Sequence, residues 1–295
     1  MKKKLLIIMI TVLLAMAFIA CGKKEKENKV SGHDTEQNDE NISENKQVKE
    51  QEDTSLDYIL NKGELILGLD DAFPPMGFRD DSGEIVGFDI DLAKAVCEKL
   101  GVELVIQPIN WPTKENELNT KNVDCLWNGF SVTPEREEKL TLSIPYMENA
   151  IAIVVTKDSG IKSKEDMAGK RLAVQGGSSA EEALYMDENK EFRESLGEIN
   201  SGFDDYVTAL MDLETGNSDA VLMDSVVASY MIHEAGKDFV VLDDHLVAEK
   251  YAVGFRKGEE ALAEAVNNAL RELKADGTVE EISTKWFGSD ITIIQ

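Results

Sequence analysis

Arg136 follows Thr133-Pro134-Glu135. With Thr133 as N-cap and Pro134 in the first helical position, the guanidinium falls in a helix's first turn. A cation there opposes the helix dipole and costs on the order of a few tenths of a kcal/mol. Arginine also offers a rigid fork that fits a carboxylate. The competing reading is a salt bridge to Glu135 or Glu138. Gly176-Gly177-Ser178-Ser179 lies between an apolar strand pattern and a helical one. Its N–H groups and the helix N-terminus suit an anion, or it is a plain glycine turn with a serine cap. Asp224 ends an otherwise apolar run, Ala220 to Met223. A desolvated carboxylate there needs a partner. An ammonium would serve, or the carboxylate caps a helix through Val226 to Ile232.

Phe73 and Trp111 stand beside expected strand ends, either closing on an apolar stem or packing as ordinary core. Asp70 then lies near a ligand's far end. Together these residues describe a zwitterion detector. Arg136 and a helix N-terminus take one carboxylate, Asp224 takes one ammonium, and aromatics bracket the side chain.

The elements that must position them alternate. Strands are expected at Leu65 to Leu69, Leu104 to Gln107, Asp124 to Trp127, Ala150 to Thr156, Arg171 to Gln175, Ala220 to Met223 and Tyr251 to Phe255. A helix is expected from Asp89 (as N-cap) to Leu100 with Gly101 past its end, and another from Glu259 to Asp276, stopped by Gly277. Alternating strands and helices imply α/β architecture with parallel sheets. Leu118-x-Thr120-x-Asn122-x-Asp124 returns as Leu213-x-Thr215-x-Asn217-x-Asp219, 95 residues later, each time before a short apolar strand. Two similar lobes follow, and a ligand is expected where their strand ends face each other.

The net charge of -26 in 295 residues argues against nucleic-acid binding. Cys21, Cys97 and Cys125 form no CxxC pair and the three histidines are scattered, so no metal site and no cofactor are expected. Cys97 and Cys125 lie in apolar patterns and read as buried thiols. Three lysines precede an apolar run from Leu5 to Ala20, too short for a spanning helix and right for a signal peptide, residues 1–20. Ala20-Cys21 resembles a bacterial lipobox, which implies a lipoprotein whose Cys21 carries acyl chains, palmitate among them; the alternative is an ordinary signal peptide. Residues 21–55, rich in Lys, Glu, Asn and Gln, read as a disordered tether.

Gly87-Phe88-Asp89-Ile90-Asp91-Leu92, Gly129-Phe130-Ser131-Val132-Thr133-Pro134-Glu135-Arg136, Asp219-Ala220-Val221 and Lys285-Trp286-Phe287-Gly288 resemble the polar amino-acid solute-binding proteins (family 3) of bacterial ABC importers. The resemblance covers roughly residues 56 to 288. It implies a two-lobed periplasmic-binding-protein-like fold of type II with two crossing strands, near 147–151 and 249–253. Lobe 1 would comprise 56–147 and 252–295, and lobe 2 148–251. It further implies that Arg136 and the N–H of Ser179 hold the α-carboxylate, beside Ser178 in the same turn. Asp224, the Gly129 carbonyl and the Ser131 hydroxyl would hold the α-ammonium. Phe73 and Trp111 would sandwich the side chain, and Asp70 and Gln175 would help select it. Ser131 replaces the commoner threonine, and Ser143-Ile144-Pro145-Tyr146 lacks the usual aspartate. The implied function is to bind an amino acid at the outer face of the cytoplasmic membrane or in the periplasm, as a lipid-anchored monomer, and to deliver it to permease subunits. The rival readings are a cyclohexadienyl dehydratase-like enzyme, which needs a general acid in the cleft, and a sensory ligand domain, which needs a spanning helix and a signalling module.

Overall fold

The computed structural model describes residues 52–233 and 236–295. The expected signal peptide, Cys21 and all but the end of the expected tether lie outside the described residues. At that end Asp53 and Ser55 already dock: Asp53 Oδ2 accepts from Ala261 N (2.6 Å) and Ser55 Oγ from Leu262 N (3.1 Å). These satisfy first-turn N–H groups of the helix Glu260–Ala275 that have no partner within the helix.

The strands are β1 Glu64–Leu69, β2 Ala72–Phe73, β3 Gly77–Arg79, β4 Ile85–Val86, β5 Glu103–Pro108, β6 Cys125–Ser131, β7 Leu140–Leu142, β8 Met147–Thr156, β9 Arg171–Gln175, β10 Glu198–Phe203, β11 Ala220–Asp224 and β12 Phe239–Arg256. The large sheet runs β10-β9-β11-β8-β12-β6-β1-β5, with β7 on β12. β5, β1 and β6 are parallel, as are β10, β9 and β11, and each trio is flanked by an antiparallel strand, β12 or β8. The two halves are thus the same motif used twice. β8 and β12 join them, pairing from Phe239↔Thr156 to Tyr251↔Met147; at Tyr251 β12 passes to β6 (Tyr251↔Ser131).

The internal sequence repeat has a structural cause. Asp124 N donates to Ile66 O (2.7 Å) and Asp124 Oδ2 accepts from Ile66 N (2.8 Å). Asp219 does the same to Arg171, N to O at 2.9 Å and Oδ2 from N at 2.8 Å. Each aspartate pins the first strand of its half as the last strand begins.

β6 and β11 are buried along their whole length, which is why they read as apolar runs rather than alternating ones. Leu65, Leu67 and Leu69 of β1 have no exposed surface, and each contributes about 1.5–3 kcal/mol by burial. Cys97 and Cys125 are free and buried; burial pushes the Cys97 thiol up to about 12. No helix among the described residues is long and apolar enough to cross a membrane.

One expected helix start is corrected. The helix runs Phe88–Leu100 with Gly87 as N-cap, so Asp89 is not the cap. Its side chain turns inward and is fully buried. It accepts from Gly129 N (2.6 Å) and Tyr146 Oη (3.0 Å).

Candidate functional site

The carboxyl ends of β1, β6, β9 and β11 converge between the two halves. At one end lies Arg136. Thr133 Oγ1 accepts from Arg136 N (3.3 Å) and caps the helix Pro134–Lys139. Arg136 is 1% exposed, and its guanidinium stands 4.3 Å from the Phe130 ring centroid. Nη1 donates to Ser131 O (2.9 Å) and Nη2 to Glu182 Oε1 (3.0 Å). Nε is buried without a partner. The ion-pair partner is therefore Glu182, across the cleft, whereas Glu135 engages Lys139.

The glycine-serine turn faces this end. Ser178 is its N-cap: Ser178 Oγ accepts from Glu181 N (3.2 Å) and donates to Gln175 O (2.8 Å). Ser179 Oγ lies 3.1 Å from Ser131 Oγ and 3.1 Å from Glu249 Oε2. Lys114 Nζ reaches over from the opposite half to donate to Gly177 O (2.7 Å), 5.2 Å from the Trp111 ring centroid. Burial, and then the charge of Arg136, pull the Lys114 ammonium down to about 8.

At the other end Asp224 is buried. Its Oδ1 accepts from Tyr251 Oη (2.6 Å) and Asn149 Nδ2 (2.6 Å), and its Oδ2 from Tyr206 Oη (2.9 Å). Burial pushes this acid above the usual carboxylate range. The first turn of the helix Ser225–His233 is served by Asn149, whose Oδ1 accepts from Val226 N (3.5 Å). Asp224 thus accepts from Tyr251, Asn149 and Tyr206, while Asn149 rather than Asp224 receives that first-turn N–H. Gly129 adopts φ 54°, and a Cβ there would lie 2.8 Å from Phe73 Cε1.

Asp70 and Gln175 meet across the cleft, Gln175 Nε2 donating to Asp70 Oδ2 (2.9 Å). Burial raises Asp70 to about 6, and Gln175 Oε1 is buried without a partner. The two expected aromatic walls take other rings as neighbours: Phe73 sits 5.7 Å from Tyr206 and Trp111 6.0 Å from Phe130.

The structure therefore brings Asp70 to Gln175, Ser131 to Ser179, Phe73 to Gly129 and Arg136 to Ser131. It adds residues the sequence reading missed: Glu182, Lys114, Asn149, Tyr206, Tyr251, Glu249 and Asp89. Glu249 falls at the start of the expected crossing strand, and strand alternation next to Tyr251 was the only signal for it. Glu182 and Lys114 sit in short polar helices, where a charge is ordinarily solvated. The chemistry on offer is a buried guanidinium paired with Glu182 at one end and the buried, hydrogen-bonded carboxylate of Asp224 at the other. No nucleophile–base pair stands among these residues.

The model of bacterial extracellular solute-binding proteins, family 3, matches residues 65–289. The chain is 32% identical over 240 residues to the L-cystine-binding protein TcyJ of Escherichia coli (strain K12), covering 80% of this chain and 87% of that one. It superposes on a substrate-binding protein of an ABC uptake transporter from Streptococcus pneumoniae with bound histidine at a TM-score of 0.76 and 38% identity, over 81% of this chain and 98% of that one. It also superposes on an ancestral amino-acid-binding protein, a precursor of cyclohexadienyl dehydratase, at a TM-score of 0.71 and 36% identity, over 79% of this chain and 99% of that one.

Proposed function

Because the chain belongs to the bacterial extracellular solute-binding proteins, family 3, we propose that its cleft grips the two charges of a free amino acid. The protein is the substrate-binding component of an amino-acid ABC transporter, with the two-lobed fold of type II periplasmic binding proteins. One observation carries the grip: a buried guanidinium with an unpartnered Nε faces a buried, triply hydrogen-bonded carboxylate across a junction of two sheet halves.

Arg136 and the turn at Ser178 and Ser179 take the α-carboxylate. Asp224, the Gly129 carbonyl and the Ser131 hydroxyl take the α-ammonium. Phe73 and Trp111 flank the side chain, and Asp70 with Gln175 meets its tip. An acid held near neutrality by burial favours a cationic or polar tip, which it can ion-pair or hydrogen-bond. Lobe 1 is residues 56–147 and 252–295, and lobe 2 is 148–251. Closing brings the lobes together over the ligand, which binds the closed form better and so shifts the population toward it. Permease subunits receive the closed form. The protein is a monomer held at the membrane by acyl chains on Cys21; replacing Cys21 by alanine abolishes palmitate labelling.

The activity is binding without turnover, and incubation with prephenate or arogenate leaves both unchanged. The main test is a thermal-shift panel of the twenty amino acids and cystine. One or a few of them raise Tm strongly, with a Kd on the order of micromolar, about 8 kcal/mol. A flat response to the whole panel contradicts the proposal.

A further inference from the structure

Glu249 has no part in the grip just described, yet it is 7% exposed at the meeting point of both lobes and the crossing strands. Its Oε2 takes a hydrogen bond from Ser179 Oγ (3.1 Å), and that hydroxyl is 3.1 Å from Ser131 Oγ. Asn149, its partner across the β8–β12 ladder, splits one amide group between two acids. Asn149 Nδ2 donates to Asp224 Oδ1 at 2.6 Å and to Glu249 Oε2 at 3.3 Å. The two N–H groups of one amide thus tie the two carboxylates together.

We propose that Glu249 is a second acid of the ammonium subsite, forming with Asp224 a pair that keeps one proton until a ligand's α-ammonium arrives and expels it. The inference rests on the amino-acid reading above and deepens it. The subsite selects a protonated amino group. N-acylated and α-hydroxy analogues bring no positive charge, so they leave the proton in place and bind weakly.

The surroundings decide the direction. Asp224 faces Glu249 from β11, Arg136 from its helix, Tyr206 from the helix Tyr206–Glu214 and Tyr251 from β12 itself. Arg136 is already engaged by Glu182, which leaves two acids against a shared cation. Burial, followed by the charge of Asp224, pushes Glu249 up to about 7. An incoming ammonium replaces the missing positive charge and favours the ionised pair. Glu249 also lines an open pocket of about 380 Å³ with Val132, Pro145, Glu148, Asn149 and Lys250. The departing proton reaches water there while the lobes stay closed. Glu148 and Lys250 are the charged groups on that wall.

Calorimetric titration of the full chain with L-arginine, L-histidine and L-cystine, in buffers of different ionisation heat, tests this. At about pH 6 the wild type releases close to one proton per amino acid bound, and affinity rises about tenfold from about pH 6 to about pH 8. Glu249→Gln loses that release and flattens the profile, and Glu249→Asp restores the slope. A cationic side chain also draws a proton from Asp70, so the release due to Glu249 is the difference between wild type and Glu249→Gln. If Glu249→Gln keeps the wild-type slope and proton release, even with uniformly weaker binding, the pair is overturned while the amino-acid reading stands. If the wild type binds none of the three, the titration uses the amino acid of the thermal-shift panel that raises Tm most; if the whole panel is silent, both fall.

Discussion

Arg136 and Glu182 follow strands in opposite halves of the large sheet and meet with Nη2 3.0 Å from Oε1, the arginine side chain 2% exposed. The cation proposed to hold the ligand's carboxylate thus has a carboxylate of the protein beside it. That arrangement limits the desolvation penalty of a buried guanidinium, and it puts Glu182 in competition with the ligand.

Glu182→Gln separates these roles. Glu182 keeps 23% of its side chain exposed, so removing its charge costs less than the about 3–5 kcal/mol of a fully buried pair, and Tm of the ligand-free protein drops. A bound amino acid supplies the missing carboxylate, and the ligand-induced rise in Tm becomes larger than in the wild type. Calorimetric melting with and without the amino acid checks both effects. An unchanged ligand-free Tm, or an unchanged rise, contradicts the competition.

Gly129→Ala acts through geometry alone. The φ of 54° disfavours a side chain by about 1–2 kcal/mol. The new Cβ would meet Phe73 Cε1 at 2.8 Å and Tyr251 Cζ at 3.1 Å. Both rings shift, one the proposed wall of the side-chain pocket and the other a donor to Asp224. Titration shows amino-acid affinity falling by at least about tenfold, beyond what the stability loss explains. Affinity within a factor of about two of wild type counts against the placement of Gly129 at the ammonium.

Acid stabilises the ligand-free protein over a defined window. Burial raises Asp70 to about 6, and Asp89 and Glu249 to about 7. Each folded pKa lies above its unfolded value, so the folded chain binds more protons between the two. The stability from that proton uptake is complete below the unfolded values and disappears as pH rises through the folded ones. Melting followed from about pH 7.5 down to about pH 5 therefore shows Tm rising. The gain reverses below about pH 4, where the unfolded chain takes up protons on acids that the folded chain still keeps ionised, such as Asp276 and Asp290, both held to about 2. Asp89→Asn shallows the slope. A Tm that falls steadily over the whole range contradicts the assignment.

Much of this was legible in the residues. The strand pattern was readable because parallel strands buried on both faces must be apolar throughout, as in β6 and β11. The repeat was readable because Asp124 and Asp219 do the same backbone work. Thr133-Pro134-x-Arg136 was readable because capping is local. What failed was long-range pairing of polar groups. Asp89 looks like an N-cap in sequence, but its partner Gly129 is 40 residues away. Glu182 and Lys114 look like solvated helix charges until folding carries them across the cleft, and Glu249 gains meaning only when β8 and β12 bring Asn149 beside Asp224.

The central claim is that one buried guanidinium holds the carboxylate of an amino acid. Titration of Arg136→Met with the amino acid giving the largest thermal shift tests it most directly, with Arg136→Lys beside it and circular dichroism confirming that both are folded. Losing two charge-assisted hydrogen bonds weakens binding by at least about 100-fold in Arg136→Met, while Arg136→Lys, which keeps the charge without the fork, falls between. A folded Arg136→Met that binds within about threefold of wild type contradicts the account.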